Sequence, residues 1–226
     1  MKKEDYEKGV QIEDMFIDIG LPQEEAAKKA PLGTPAVQAH RMQRLSNDRI
    51  CGKALDNRAG FTAVLRAVEM LGDEVLDVDL YVMASVQEEV GARGAAPGVF
   101  AIAPELCIVV DAGHAKTPDS KPAETGEALS GGVIISRGPN MNSALTELII
   151  KLAGEKGVKH QIRVKPGGNS GTNARTVQVS GEGVATALLS IPTRYMHGAY
   201  ETISLEDIES AASLLAETAK FQKGAN

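Results

Sequence analysis

The sequence predicts a layered α/β fold, in which helices cover a mostly parallel central sheet. Three observations predict this class. Strand-like and helix-like segments alternate from Ala54 onward, the pattern of strands joined by covering helices. Residues 106–110 are continuously apolar, as expected for a strand buried on both faces. Residues 143–153 repeat apolar side chains with the period of an amphipathic helix.

The first 50 residues differ from the rest of the chain, and they start in a charged segment without a clear first element. An apolar segment over residues 12–20 stops at Gly20. Pro22 opens a short predicted helix, residues 22–30, with acidic side chains in its first turn. Weak alternation over residues 36–45 predicts an edge strand.

Each element after Ala54 has a local signal. A helix is predicted over 60–72, with one apolar face made of Phe61, Val64, Leu65, Val68 and Leu71. Asn142 is suited to cap the helix at 143–153. Ser204 followed by Asp207 resembles a capping box for a last helix over 205–222. Further strands are predicted at 78–86, 106–110, 132–136, 160–164 and 185–191.

Composition excludes several classes of protein. Hydrophobic residues make up 43% and charged residues 24%, which is typical of a soluble globular chain. The 24 basic and 30 acidic residues leave a net charge of −6, and aromatic residues are few, so general nucleic-acid binding is not expected. No apolar window is long enough for a membrane span, and the start lacks the apolar core of a signal peptide. Cys51 and Cys107 have no metal-type spacing, which favours a reducing cytoplasm over a disulfide framework.

Acidic and imidazole side chains cluster near the ends of the predicted elements. In open α/β sheets, ligands gather beyond the carboxyl ends of the strands. The side chains at such places are Asp56 before the helix at 60–72, Glu88 and Glu89 after 78–86, Asp111 after 106–110, and His197 after 185–191. Carboxylates together with imidazole are ligands for zinc and similar divalent ions. The arrangement therefore points to a metal-assisted hydrolase.

Each of these residues also has a structural interpretation. Glu88 and Glu89 can be a solvated surface pair, Asp111 a strand terminator, and Asp56 a helix cap. A lone histidine such as His197 is more often a loop or core residue than a ligand. The sequence has no GxGxxG, Walker or GxSxG pattern, so it supports neither a nucleotide cradle nor a serine hydrolase.

Four ordered motifs resemble those of the glutamyl and deblocking aminopeptidases, also called tetrahedral aminopeptidases. The motifs are Ala54-Leu-Asp-Asn-Arg-Ala-Gly60, Gln87-Glu-Glu-Val-Gly-Ala-Arg-Gly94, Val109-Val-Asp111 and Pro192-Thr-Arg-Tyr-Met-His197. The resemblance implies a three-layer α/β/α zinc-peptidase-like domain with a central mixed sheet, here residues 51–226. Residues 1–50 then correspond to the remnant of an inserted β-rich dimerisation domain.

The resemblance also implies a two-metal peptidase acting on peptides, with zinc or cobalt as the ions. Asp56 would bridge the two ions, Glu88 would be the general base, and the further ligands would be Glu89, Asp111 and His197. Two such ions polarise the scissile carbonyl and lower the pKa of a water molecule. Some members of the family carry the label endoglucanase or cellulase M. Relatives form homo-oligomers, including dodecamers.

Departures from the family pattern make impaired activity an expectation. The family's first-half segment with a His-x-Asp motif is not matched in the 55 residues before Asp56, so the chain looks truncated at its amino terminus and one metal site should be weak. Asn173 also stands where the family usually has aspartate.

Three functions therefore remain open. The chain is a metal-dependent aminopeptidase, or a non-catalytic homologue that acts as a binding or partner subunit. A carbohydrate hydrolase is the third, although the metal-type residues Asp56 and His197 argue against it because glycosidases need only two carboxylates.

Overall fold

The computed structural model of the chain describes residues 11–121, 126–167 and 170–221. The chain divides into two units between Ala39 and His40. The first unit contains a 3-10 turn, Ile12–Asp14, and one short helix, α1 (Gln23–Lys29), which Pro22 precedes as predicted. The strands found among the described residues all belong to the second unit. No helix in the described ranges is long and apolar enough to cross a membrane.

The second unit alternates strands with helices, which confirms the α/β class. Its strands are β1 (Gln43–Arg44), β2 (Arg49–Gly52), β3 (Leu106–His114), β4 (Val133–Arg137), β5 (His160–Val164), β6 (Ala185–Thr193) and β7 (Glu201–Ser204). Its helices are α2 (Leu55–Leu71), α3 (Ala95–Ile102), α4 (Ser143–Glu155), α5 (Ala174–Val177) and α6 (Leu205–Ala219). Asn142 caps α4 as predicted, because its Oδ1 accepts a hydrogen bond from the backbone N–H of Leu145 at 2.9 Å.

The strands form two sheets. The central sheet has the order β3-β6-β4-β5, in which β3 is parallel to β6 and β4 is parallel to β5, but β4 and β6 are antiparallel. The sheet is therefore mixed, as the family resemblance implies. Apolar periodicity alone predicted a mostly parallel sheet, because periodicity reports burial and carries no information on strand direction. A smaller antiparallel sheet has the order β1-β2-β7.

Helices cover both faces of the central sheet and complete three layers. Along β6, Leu189 and Ile191 pack in the core shared with α2, α4 and α6. Leu188 points to the opposite face, where it packs with Val99 of α3 and Val177 of α5. Successive side chains of a strand point to opposite faces, so a continuously apolar strand is the expected result of burial on both sides.

Of the apolar face predicted for α2, only Leu71 is buried, at 6% exposure. Phe61, Leu65 and Val68 are between 41% and 51% exposed. The buried contact with α6 is built from small side chains: Ala59, Ala63 and Ala67 on α2, and Ala211, Ala212 and Ala216 on α6. The periodicity argument weighted large apolar residues, whereas two closely packed helices need small side chains where they meet.

The predicted capping box at the start of α6 is wrong. Neither Ser204 nor Asp207 caps the helix with its side chain. Asp207 is fully buried and accepts hydrogen bonds from the backbone N–H groups of Ser130 (2.8 Å) and Gly132 (2.7 Å). A loop from far along the chain therefore outcompetes the local helix terminus for this carboxylate.

The predicted strand at 78–86 is also wrong. The segment has no ladder partner among the described residues, and its apolar side chains are exposed, with Val78 at 52% and Tyr81 at 63%. Alternating apolar residues specify a strand only where one face of the segment can be buried. Here the segment contributes no residue to the hydrophobic core clusters. It leads directly into the turn that carries Glu88 and Glu89.

Candidate metal centre

Three of the predicted site residues meet at one place in the second unit. Asp56 lies at the start of α2, Glu89 lies in the turn after Val86, and His197 lies in the turn between β6 and β7. His197 Nε2 is 3.1 Å from Asp56 Oδ2 and 3.4 Å from Glu89 Oε2. One ligand atom from each residue lies within 4.8 Å of the other two.

These distances fit a single divalent ion. Ligand atoms about 2.1 Å from one zinc ion in tetrahedral geometry lie about 3.4 Å from one another. Two carboxylates and one imidazole make three protein ligands, and catalytic zinc sites use three protein ligands with one position open to water. The Asp56 side chain is 8% exposed, whereas those of Glu89 and His197 are 56% and 63% exposed, so the group opens toward solvent.

The turn that carries the two glutamates is closed by its own backbone. Gly94 N–H donates to the carbonyl of Val86 at 3.0 Å, and Ala92 N–H donates to the carbonyl of Glu88 at 2.8 Å. Gly94 is required here because a Cβ atom would lie 2.5 Å from the Val86 oxygen. The resulting bend places Glu89 in the three-donor group and leaves Glu88 beside it.

The start of α2 departs from helical geometry at the site. Asp56 and Asn57 have non-helical backbone angles, and regular helix begins after them. The Asn57 side chain donates to the carbonyl of Val110 on β3 at 2.7 Å. Gly60 leaves room for that side chain, because a Cβ atom there would lie 2.2 Å from Asn57 Oδ1. The predicted helix over 60–72 thus extends back to Leu55 in an irregular first turn.

Mutual repulsion and burial change the acidity of the site. Burial first, and then the charges of Glu89 and Glu201, raise the pKa of Asp56 to about 6, against the opposing effect of His197. Burial and the charge of Glu89 also raise the pKa of Glu88. Perturbed pKa values of this kind cluster at functional sites, and a bound cation would offset the repulsion among these carboxylates.

Asp111 lies inside β3, not after a strand end, because β3 stays paired with β6 as far as His114. It is outside the three-donor group found among the described residues. Its side chain is buried, and its Oδ1 accepts a hydrogen bond from Ala112 N–H at 2.9 Å. Burial is the main cause that raises the pKa of Asp111 to about 7, and the charges of Asp56, Glu88 and Glu89 add to it. Asp111 therefore interacts electrostatically with the site.

Glu201 is a site residue that the sequence analysis missed. It opens β7 and is 2% exposed. Its Oε2 accepts a hydrogen bond from Asp56 N–H, and its Oε1 accepts one from His197 N–H, both at 2.9 Å. Only its position four residues after His197 could have drawn notice, because a glutamate before Thr and Ile otherwise resembles the end of a surface strand.

Asn173 lies beside the segment that leads into the glutamate turn. Its Nδ2 donates to Ser85 Oγ at 2.9 Å, while its buried Oδ1 has no hydrogen-bond partner among the described residues. Of the two polar atoms of this amide, only the nitrogen has a hydrogen-bond partner among the described residues.

Comparison with known proteins finds aminopeptidases among both the family models and the similar sequences. A family model described as M42 glutamyl aminopeptidase matches residues 1–214. The lysyl aminopeptidase of Pyrococcus furiosus is 35% identical over 218 residues, which cover 95% of this chain and 62% of that protein. The glutamyl aminopeptidase of Lactococcus lactis is 30% identical over 168 residues, which cover 74% of this chain and 46% of that protein.

Solved structures agree with the sequence comparison. A TET aminopeptidase from a marine-sediment Thaumarchaeota archaeon matches with a TM-score of 0.88 and 29% identity, over 99% of this chain and 64% of that one. The TET1 peptidase of Pyrococcus horikoshii, described as assembling into a tetrahedron or a large octahedral shell, matches with a TM-score of 0.74 and 27% identity, over 91% and 60%. The chain thus spans less than two thirds of the length of these relatives.

Proposed function

The chain belongs to the M42 glutamyl aminopeptidase family, and from that premise we propose that it is a metal-dependent aminopeptidase that removes N-terminal residues from peptides. The observation that carries the proposal is the group of Asp56, Glu89 and His197, whose ligand atoms lie within 4.8 Å of one another beside Glu88. No other feature of the second unit combines carboxylates, an imidazole and solvent access among the described residues in this way.

Glu88 is the proposed general base. A bound divalent ion would polarise the scissile carbonyl and lower the pKa of a nearby water molecule. Glu88 would take the proton of that water and deliver it to the leaving amine. Burial and the charge of Glu89 raise the pKa of Glu88, which makes its carboxylate a stronger base.

Asp56, Glu89 and His197 are the proposed ligands of the tighter ion. A second ion would be held by Asp56 together with Asp111. We expect this second site to be weak in the present chain, since Asp111 lies outside the three-donor group of the described residues and needs partners besides Asp56. Zinc and cobalt both suit the mixture of carboxylate and imidazole donors.

The proposal is tested by titrating the metal-free chain with Co²⁺ in a calorimeter, then measuring hydrolysis of aminoacyl-anilides with Co²⁺ present. We expect one tight ion per chain and turnover that a chelator abolishes. Glu88→Gln should retain the tight ion and lose about 100- to 10,000-fold in kcat. Glu105→Gln, an exposed glutamate, serves as the matched control and should keep full activity. Activity that persists in Glu88→Gln or in chelator contradicts the proposal.

The position of Asp111 favours one alternative, a non-catalytic homologue that binds peptides or a partner subunit. That function predicts that one ion binds while no aminoacyl-anilide or peptide is hydrolysed. Hydrolysis of a β-glucan that survives removal of metal would instead support the endoglucanase label.

We also propose that the chain forms a homo-oligomer in a cytoplasmic setting. The oligomer proposal is supported by the described assemblies of the Pyrococcus horikoshii relative. Light scattering of the purified chain tests it, since a monomeric mass at micromolar concentration would contradict it.

A further inference from the structure

The buried carboxylate of Glu201 joins the two loops that carry Asp56 and His197. Each of its oxygens accepts a hydrogen bond from the backbone N–H of one of these residues, at 2.9 Å in both cases. Glu201 itself is 2% exposed. A buried carboxylate is unfavourable unless both of its oxygens are satisfied, so this geometry requires that both loops stay in place.

The strand pairing explains why one side chain can reach both loops. In the ladder between β2 and β7, Glu201 lies opposite Gly52. From this pair the chain runs forward four residues to Asp56 and back four residues to His197. The ladder thus brings together the segments that carry Asp56 and His197, which are 141 residues apart along the chain, and the Glu201 carboxylate bonds to both.

The hydrogen bond to His197 also holds an unfavourable backbone conformation. His197 has a φ of 64°, in the left-handed region that side chains other than glycine rarely adopt. Such a residue persists only where its surroundings hold it in place. The N–H of His197 donates to Glu201, and its ring lies 3.1 Å from the Asp56 carboxylate.

We propose that Glu201 is a positioning residue of the metal centre, which sets the separation between the Asp56 and His197 ligand atoms through its two backbone hydrogen bonds. The inference rests on the proposed metal centre. Glu201 needs no direct contact with the ion, because both of its oxygens already accept a backbone N–H group. Groups that orient metal ligands in this way typically contribute 10- to 100-fold in metal affinity.

The first test is Glu201→Gln, which keeps the size of the side chain but places an amide N–H₂ against a backbone N–H donor. Asp207→Asn is the matched control, because Asp207 is also buried and also accepts two backbone N–H groups, away from the metal donors. Co²⁺ affinity and the visible Co²⁺ spectrum are measured by titration, and the melting temperature is measured without metal.

We expect Glu201→Gln to bind Co²⁺ 10- to 100-fold more weakly with an altered spectrum, and Asp207→Asn to keep affinity and spectrum although it melts earlier. Equal affinity in Glu201→Gln and the unaltered chain, or equal loss in both variants, overturns the inference. If the unaltered chain binds no Co²⁺, the proposed function fails and this inference fails with it.

A measurement on the unaltered chain covers the case in which Glu201→Gln does not fold. Amide hydrogen exchange at Asp56 and His197 should be at least about 10-fold slower than at exposed turn residues, even without metal, because both N–H groups are bonded to a buried acceptor. Exchange at the rate of an exposed turn at either residue overturns the inference.

Discussion

Replacing Asp111 with asparagine should stabilise the metal-free chain at pH 8. Asp111 is 6% exposed, and its carboxylate has Ala112 N–H as its hydrogen-bond donor. Burial raises its pKa from 3.8 to about 7. Because folding raises this pKa, the stability that the neutral group contributes is complete below about pH 4 and is lost as the pH rises through about 7. A neutral amide avoids that loss and can still accept the Ala112 N–H.

The magnitude is set by the pKa difference. One pKa unit corresponds to about 1.4 kcal/mol, so titration of Asp111 lowers the free energy of unfolding by about 4 kcal/mol at pH 8, where the folded chain carries the charge. At pH 5 only the unfolded chain is ionised, and the loss is about 2 kcal/mol. An amide N–H₂ group without an acceptor costs about 1 kcal/mol at both pH values. The net gain from Asp111→Asn is therefore about 3 kcal/mol at pH 8. The gain at pH 8 exceeds the gain at pH 5 by about 2 kcal/mol.

The assay is urea unfolding in a chelator, monitored by far-ultraviolet circular dichroism at pH 5 and pH 8. Asp79→Asn, at an exposed position, is the control and should change the free energy of unfolding by less than about 0.5 kcal/mol. If Asp111→Asn raises the free energy of unfolding equally at both pH values, or lowers it at pH 8, then the charge of Asp111 does not destabilise the metal-free chain and the reasoning is refuted.

Two further predictions concern the site and the fold. Zinc affinity should fall about 4-fold between pH 7.5 and pH 5.5, because protons compete with the ion for Asp56, whose pKa is about 6. A calorimetric titration that finds no change over this range would contradict it. Gly132→Ala should lower the free energy of unfolding by at least about 2 kcal/mol, since Gly132 has a φ of 89° and a Cβ atom would lie 2.0 Å from the Lys159 carbonyl oxygen. Urea unfolding of the variant checks this, and an unchanged midpoint would show that the loop adapts.

The fold could be predicted where its signals are local. The cap at Asn142 and the apolar period of α4 depend on neighbours within four residues, and both are found in the structure. The apolar run at 106–110 correctly indicated a strand, but the expected burial on both faces is wrong for most of it: only Val109 of the run is buried, and Leu106 is 49% exposed, because β3 stands at one end of the sheet order. The segment at 78–86 had a similar local signal, yet it forms no strand, because a strand also needs a partner that its own residues do not specify.

Contacts with distant segments explain where the sequence prediction of buried faces and caps was wrong. The α2 face that meets α6 is made mainly of alanines, with Leu71 at its end, because closely packed helices favour small side chains where they meet. Asp207 was predicted to serve its own helix, but it accepts hydrogen bonds from residues 75 and 77 positions away. The bonding partner of such a side chain depends on which distant segment packs beside it, and hydropathy patterns do not contain that information.

The sequence by itself supplied the candidates for the site, with Glu88 as the proposed base and Asp56, Glu89, Asp111 and His197 as the proposed ligands, all in motifs read along the chain. Only the tertiary structure decided that Asp56, Glu89 and His197 meet in one group while Asp111 stays outside it. It also decided that Glu201 joins two of the ligand loops. The physical reason is that ligand chemistry belongs to single residues, whereas the distance between the ligands Asp56 and His197, which are 141 positions apart along the chain, is set by strand pairing.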